Sequence, residues 1–301
     1  MYDQVAANKR RSAALIVVFV LFVALVCAAF TYLLQWGPIG IVIAFAIAGG
    51  SAFFSYWKSD SIALAMSRAQ PATVEQYPRL HNVVEGLCIA SGLPKPRLYV
   101  IDDPAPNAFA TGRNPKHAAI AVTTGLLEKM NRIELEGVLA HELSHIKNDD
   151  ILVSTLAVTM VGVVALLADI GVRGLLFGGR NRNSNDGGNI VYLALMALAL
   201  VLLVLSPVIA RLMQFAVSRK RESLADISGV EMTRYPPGLI SALEKLQADQ
   251  TVVHSASRAT AHLWIESPLA RTPEEGKMSK LNRMFDTHPP LEERIAALQE
   301  L

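Results

Sequence analysis

Cysteine and charge are both scarce in this sequence. The only two cysteines, Cys27 and Cys88, have no neighbouring cysteine, which excludes a cysteine-based zinc knuckle or a redox pair and indicates two reduced thiols. Charged residues make up 18% of the 301 residues, and the net charge of +2 is too small to indicate a nucleic-acid partner. Apolar residues reach 52% with a mean hydropathy of +0.34, which indicates membrane spans.

The apolar residues are concentrated in four long runs. Residues 13–34 and 39–57 are each long enough to cross a bilayer, so we predict a transmembrane hairpin with aromatic anchors at its ends. The first run is too long for the apolar part of a signal peptide. Residues 151–172 and 190–210 predict a second hairpin around the polar loop 173–189. This second hairpin either crosses the membrane or dips into it without crossing.

Positive charge predicts the orientation of these runs. Most lysine and arginine residues that flank them lie on the same side as the N-terminus, so we expect the N-terminus and both hydrophilic segments in the cytoplasm. The chain then divides into an N-terminal transmembrane hairpin, a catalytic part with a sheet and a motif-bearing helix, a second hairpin and a helical catalytic part. These are residues 1–57, 58–150, 151–210 and 211–301.

Periodicity predicts the elements of the two hydrophilic parts. Apolar residues at helical spacing from Leu80 to Cys88 predict a helix, which Gly92 and Pro94 end. Short runs rich in β-branched or aromatic residues predict strands over 97–101, 107–111 and 118–123. In the C-terminal part the pattern predicts helices over 211–230, 237–249 and 291–298.

A metal-binding motif follows the third strand. Asn131 and Glu134 form a capping-box pair at the start of a helix, and His141, Glu142 and His145 follow as an H-E-x-x-H. Residues four apart share one helix face, so the two imidazoles can bind one metal ion and Glu142 can reach a water molecule as general base. The alternative is two surface histidines on an exposed helix face.

A zinc hydrolase site needs a third protein ligand, and Glu222 is the strongest candidate. It lies on a predicted helix directly after the fourth apolar run, and the second hairpin returns this helix to the membrane face where the H-E-x-x-H helix ends. Asp226, one turn later, is placed to accept an N–H bond from a ligating imidazole. The alternative for Glu222 is a surface ion pair with Arg219 or Arg221.

Four motifs, in this order along the chain, resemble the HtpX-type membrane zinc endopeptidases, which are relatives of the CAAX prenyl-protein zinc endopeptidase. The motifs are Asn107-Ala-Phe-Ala-Thr-Gly112, His141-Glu-Leu-Ser-His145 with Asn148 and Asp150, Ser218-Arg-Lys-Arg-Glu222 with Ala225 and Asp226, and Thr287-His-Pro-Pro-Leu-Glu-Glu-Arg-Ile295. The resemblance extends from the first apolar run to about Ala297, which is nearly the whole chain.

The resemblance implies a mainly α membrane protein with about four transmembrane helices and a zincin-like α+β catalytic domain. It implies one Zn²⁺ per chain, with Glu222 as the third ligand. It also implies cleavage of misfolded membrane proteins under stress, at the cytoplasmic face of the cell inner (plasma) membrane. The expected partners are therefore polypeptide substrates and the lipid bilayer, and no nucleic acid.

Further residues are predicted around the metal. The resemblance places His288 near the site as a donor to the oxyanion, although His288 is equally well placed merely to precede the last helix. Arg294 either positions Asp226 or is a solvated helix residue. Asp150, directly before the third apolar run, is expected to support the metal ligands from behind.

The strand at 107–111 is predicted to bind substrate. An edge strand beside a zinc cleft can add an extended peptide to its sheet, which would involve Asn107, Ala108 and Phe109. The alternative is an ordinary edge strand. The remaining histidines lack ligand-like spacing and are interpreted as surface or packing residues; they are His81, His117, His254 and His262.

Two other functions fit these residues less well than a protease at the membrane surface. An intramembrane zinc protease would carry the motif inside an apolar span, whereas here charged residues surround it; they are Lys129, Arg132, Glu134, Glu136, Lys147, Asp149 and Asp150. A scaffold or chaperone-like binding protein would carry an inert zinc site, but none of the motifs is degenerate. The sequence therefore favours a protease at the membrane surface.

Overall fold

The computed structural model describes residues 10, 13–14, 16–21, 24–25, 37–156, 219–255, 260, 263–266 and 289–301. Residues 35–36 of the predicted turn of the first hairpin, nearly all of the predicted second hairpin and His288 lie outside the described residues. Among the residues that are described, no helix combines the length and the apolar character needed to cross a membrane.

Helices make up most of the described chain. Helix α1 spans Gly37–Met66 and extends beyond the predicted apolar run, because residues 58–66 contain no glycine or proline to end it. The other helices are α2 (Pro78–Ser91), α3 (Thr124–Lys129), α4 (Arg132–Lys147), α5 (Arg219–Thr233), α6 (Pro236–Ala248) and α7 (Leu291–Gln299), with a further helical stretch over 150–156.

Most of the predicted helices are confirmed, with shifts at their ends. Gly92 ends α2 as predicted, in the left-handed conformation with φ of 70° that glycine adopts readily. The helix predicted over 211–230 is confirmed from Arg219 onwards and continues to Thr233. The short helix α3 was not predicted.

Four strands form one mixed sheet in the order β1-β2-β4-β3. They are β1 (Gln70–Pro71), β2 (Arg97–Ile101), β3 (Ala108–Gly112) and β4 (Ala118–Thr123). Strand β2 is parallel to β4, whereas β1 and β3 are antiparallel to their neighbours. The three predicted strands are confirmed, β3 with a shift of one residue, and β3 lies at an edge of the sheet. The two-residue strand β1 was too short to predict.

The two faces of the sheet contact different parts of the chain. Side chains such as Val100 and Ile120 belong to a large core that also contains residues of α2, α4 and α6. The alternate side chains, such as Ala121 and Phe109, contact Leu64 near the end of α1. This period-two alternation places α4, the motif helix, on one face of the sheet and the end of α1 on the other.

Candidate metal centre

The N-terminus of α4 is fixed by the predicted capping box. The Asn131 side chain accepts the backbone N–H groups of Ile133 and Glu134 at 2.9 and 3.0 Å, and Glu134 accepts the backbone N–H of Asn131 at 2.8 Å. Glu134 also accepts hydrogen bonds from Ser241 and Lys245 of α6, each at 2.7 Å. The helix that carries the two histidines is therefore tied to α6 at its start.

A glycine allows α5 to approach α4 closely. A Cβ atom at Gly229 would lie only 3.0 Å from the backbone nitrogen of His141. Glu222 lies seven residues before Gly229, which is about two helical turns, so both residues share the face of α5 that contacts α4. The close contact at Gly229 therefore directs Glu222 towards the two histidines.

His141, His145 and Glu222 converge on one point, as predicted. The two Nε2 atoms lie 3.2 Å apart, and the Glu222 carboxylate oxygens lie 3.6 Å from His141 Nε2 and 3.7 Å from His145 Nε2. Zinc binds nitrogen and oxygen ligands at about 2.0–2.2 Å in a tetrahedron, which separates the ligand atoms by about 3.4 Å. The three residues therefore fit a zinc ion.

Glu222 is buried, which excludes the alternative of a surface ion pair. It is only 4% exposed and faces the two histidines. Its neighbour Arg221 faces Asp150 instead, at 3.7 Å. The position of Glu222 on α5 therefore places its carboxylate at the third ligand site and not on the protein surface.

The second ring nitrogen of each histidine faces a carboxylate. His141 Nδ1 lies 2.8 Å from Asp226, and His145 Nδ1 lies 3.3 Å from Asp150. A carboxylate in this position fixes the tautomer and leaves Nε2 available to a metal. Burial lowers the pKa of His141, whereas for His145 the charges of Glu222 and Asp150 outweigh burial and raise the pKa to about 9.

Arg294 is the residue that holds Asp226. It is 3% exposed and donates two hydrogen bonds to the carboxylate, at 2.7 and 2.9 Å. Burial alone would raise the pKa of Asp226, but the Arg294 guanidinium and the contact with His141 lower it to about 2. The predicted contact between Arg294 and Asp226 is therefore present, and the alternative of a solvated arginine is wrong.

Glu142 is buried beside the metal-binding triad. Burial, and to a smaller degree the charge of Glu222, raises the pKa of Glu142 to about 7, although His145 and Arg294 act in the opposite direction. The backbone N–H of Ala110 in β3 favours the charged form of the Glu142 carboxyl group and so acts on its pKa against burial. A carboxyl group with a pKa near neutrality is suited to accept a proton from water and release it again.

The predicted substrate-binding residues are buried and already bonded. Asn107 is 1% exposed, and Ala108 and Phe109 are fully buried. The side-chain Nδ2 of Asn107 donates a hydrogen bond to the carbonyl of Glu266 at 3.0 Å. The Phe109 ring contacts Trp264 edge to face, with centroids 4.9 Å apart. Residues 263–266 therefore cover the edge of β3 in this structure, and substrate binding along β3 stays a prediction.

Other histidines lie outside the triad. His81 Nε2 bonds the carbonyl of Ala72, His117 bonds Asn114, and the backbone N–H of His254 donates to Asp103. These three histidines have structural contacts, as predicted, and His262 lies outside the described residues.

The site has two histidines and a glutamate around one point, a second glutamate beside them, and a carboxylate behind each histidine. This arrangement defines the class of zinc metallopeptidases. Residues 75–301 match Peptidase family M48. The chain belongs to this family, with the HtpX homologs as its relatives. It is 42% identical over 298 residues to the protease HtpX homolog of Dictyoglomus turgidum, which covers 99% of this chain and 94% of that protein.

The chain is also similar to two further proteins. The chain is 41% identical over 306 residues to the protease HtpX homolog of Streptococcus uberis, with full coverage of both proteins. The crystal structure of S. mikatae Ste24p has a TM-score of 0.44 at 19% identity, over 89% of this chain and 67% of that one. The family assignment confirms the resemblance seen in the motifs and makes the chain a zinc metalloendopeptidase, so the inert scaffold is excluded.

Proposed function

We propose that the protein cleaves misfolded membrane proteins at the cytoplasmic face of the cell inner (plasma) membrane, as part of protein quality control under stress. The observation that carries this proposal is the convergence of His141, His145 and Glu222 on one point with Glu142 buried beside them. One zinc ion per chain satisfies this set of donors.

The chemistry follows from the positions of the side chains. His141, His145 and Glu222 would hold a zinc ion, which would supply Lewis-acid chemistry at the scissile carbonyl. Glu142, whose burial raises its pKa to about 7, takes a proton from the attacking water and passes it to the leaving amine.

Two residues support this step. Arg294 keeps Asp226 in place and thereby sets the orientation of His141. We propose that His288, which lies outside the described residues, donates a hydrogen bond to the oxyanion that forms at the carbonyl.

Contact with lipid is supported by the surface of α1. Several of its large apolar side chains are 46–72% exposed; they are Ile39, Val42, Phe53, Phe54 and Trp57. Large apolar side chains with this degree of exposure, on one helix, are typical of contact with a membrane or a partner. The four apolar runs and the distribution of positive charge support the same location.

The test uses the full chain reconstituted in vesicles with zinc. The substrates are a membrane protein in its native form and the same protein carrying a destabilising core substitution, with the Glu142→Gln enzyme as control. We expect zinc-dependent cleavage of the destabilised form, little cleavage of the native form and none with the variant. Equal cleavage of both forms would overturn the proposed substrate class.

A further inference from the structure

The outer edge of β3 is where an extended substrate would pair with the sheet. In an antiparallel pair alternate residues direct their backbone groups away from the partner strand. Because the carbonyl of Asn107 accepts the N–H of Thr123, the outward residues of β3 are Ala108, Ala110 and Gly112. Ala110 is also the residue of β3 whose backbone N–H acts on the pKa of Glu142, the predicted general base.

Residues 263–266, which we call the strap, are bound along this edge. The backbone N–H of Ile265 donates to the carbonyl of Ala108 at 2.9 Å. The side-chain amide of Asn107 bonds both backbone groups of Glu266, with Nδ2 to the carbonyl at 3.0 Å and the N–H to Oδ1 at 3.4 Å. Each of these hydrogen bonds is made to a backbone group of the strap. A sheet edge binds an extended peptide in the same way, irrespective of the peptide's side chains.

Arg294 connects the strap to the metal centre. Its NH1 group donates to the carbonyl of Ile265 at 3.0 Å, while its Nε and NH2 groups donate to Asp226, the partner of His141. One guanidinium therefore holds both the strap and the carboxylate behind a metal ligand. The strap lies next to the residues that perform the chemistry, and not on a remote surface.

The side chains of the strap occupy apolar pockets. Ile265 is 2% exposed and belongs to the large core beside the sheet, and Trp264 is fully buried against Phe109. Yet the indole N–H of Trp264 has no hydrogen-bond partner among the described residues. A buried donor without a partner is unfavourable, so the strap is held less firmly than its burial suggests.

We propose that the strap is an internal pseudo-substrate, which holds the peptide-binding edge of this peptidase in a closed form until a substrate displaces it. The pocket that contains Ile265 then receives a large aliphatic side chain of the substrate. This inference rests on the proposed peptidase function and on the predicted binding of substrate along β3. Release of the strap frees the carbonyl of Ala108, the side-chain amide of Asn107 and the NH1 group of Arg294, which can then bind the backbone of the incoming peptide.

The first test weakens the strap without changing the metal ligands. Full-length, zinc-loaded Trp264→Ala in detergent is compared with the wild type on a fluorogenic peptide. We expect kcat/KM to rise about tenfold, mainly through a lower KM, because less binding energy is spent on displacing the strap. The control is Leu246→Ala, an equally buried residue of α6 outside the strap, which should not raise kcat/KM. An unchanged or lower kcat/KM in a zinc-loaded Trp264→Ala protein contradicts the proposal.

The second test needs no change in the strap. Hydrogen exchange is measured on the Glu142→Gln protein with and without a saturating synthetic peptide of sequence Leu-Trp-Ile-Glu. We expect the amide of Ile265 to lose at least tenfold in protection while the amides of β3 remain protected. A bound peptide that leaves strap protection unchanged overturns the proposal. Binding that leaves both β3 and the strap unchanged overturns β3 as the substrate site, and absent zinc-dependent cleavage by the wild type contradicts peptidase activity itself.

The third test addresses the pocket. Peptides in which the isoleucine is replaced by leucine should compete with the substrate about as well as the parent peptide, whereas replacement by aspartate should weaken competition at least tenfold, because a carboxylate would lose its hydration in an apolar pocket. Equal competition by all three peptides would show that the Ile265 pocket does not receive a substrate side chain.

Discussion

His141 Nδ1 lies 2.8 Å from Oδ1 of Asp226, and this contact fixes which ring nitrogen of His141 faces the metal. Arg294 binds the same carboxylate with two hydrogen bonds, so Asp226 cannot rotate away from the imidazole. Orientation of the first metal ligand thus depends on residues of α5 and α7, which are far from α4 in the sequence.

Asp226→Asn tests this dependence. An amide of the same shape no longer offers a negative charge to His141, so we expect the affinity for zinc to fall by about 10–100-fold, as for other residues that orient metal ligands. Competition with a chromogenic chelator measures the affinity. Asp249→Asn, which removes a charge paired with Lys129 instead, is the matched control and should bind zinc as the wild type does. Equal affinity in both variants would contradict the role of Asp226.

Glu222→Ala should lose zinc altogether under conditions in which the wild type retains one ion per chain, because two histidines alone leave the tetrahedron incomplete. Elemental analysis after gel filtration measures the metal content. Glu231→Ala changes an exposed glutamate of the same helix and should keep the metal. A full zinc content in Glu222→Ala would remove Glu222 from the ligand set.

Gly229→Ala tests the close approach of α5 to α4. The new Cβ atom would meet the His141 backbone at 3.0 Å, so the helices must separate and Glu222 must move away from the histidines. We expect weaker zinc binding, by about tenfold, in a chelator competition. Gly86→Ala meets nothing within 4 Å in the interior of α2, and we expect it to bind zinc normally and to gain about 0.5–1 kcal/mol of stability. Unchanged zinc affinity in Gly229→Ala would show that α4 and α5 adjust without moving the ligand.

Glu134→Gln tests the cap of α4 through its pH dependence. Burial would raise the pKa of Glu134, but hydrogen bonds from Lys245, the Asn131 N–H and Ser241 together lower it. A carboxyl group with a lowered pKa in the folded state stabilises the fold above its unfolded pKa, and this contribution is lost as the pH falls through its folded value. We expect the variant to be less stable by about 1 kcal/mol at pH 7.

The same difference should shrink as the pH falls through the lowered pKa of Glu134, where the wild-type carboxyl group becomes protonated as well. Chemical denaturation of the two proteins across this pH range provides the measurement. Glu136→Gln, on the same helix but outside the cap, should track the wild type at each pH. A difference that persists unchanged at low pH would assign the effect of Glu134 to shape and not to charge.

The parts of the site that depend on local sequence could be predicted. The capping box, the spacing of His141 and His145, and the one-turn step from Glu222 to Asp226 are all properties of single helices, and the structure has them as expected. The approach of the two helices at Gly229 could not be predicted, because nothing in the residues around this glycine indicates which backbone it meets.

The coverage of the β3 edge by residues 263–266 could not be predicted either. Strand β3 is an edge strand by its position in the sheet, but the residues that cover it are more than 150 positions away in the sequence, as the bond between Asn107 and Glu266 shows. A short apolar stretch such as Leu263-Trp-Ile265 predicts burial, but it does not indicate which part of the protein the stretch packs against. The burial of Arg294 is likewise a tertiary property, since a helix position alone allows both a solvated and a buried arginine.

The most direct test of the account is the Glu142→Gln protein, assayed for zinc content and for cleavage of casein in detergent. The substitution keeps the shape of the side chain but removes its capacity to accept a proton. We predict one zinc ion per chain and no detectable cleavage, against a wild type that loses activity with a chelator and recovers it with zinc. Cleavage by the zinc-loaded variant at the wild-type rate would contradict Glu142 as the general base and, with it, the proposed mechanism.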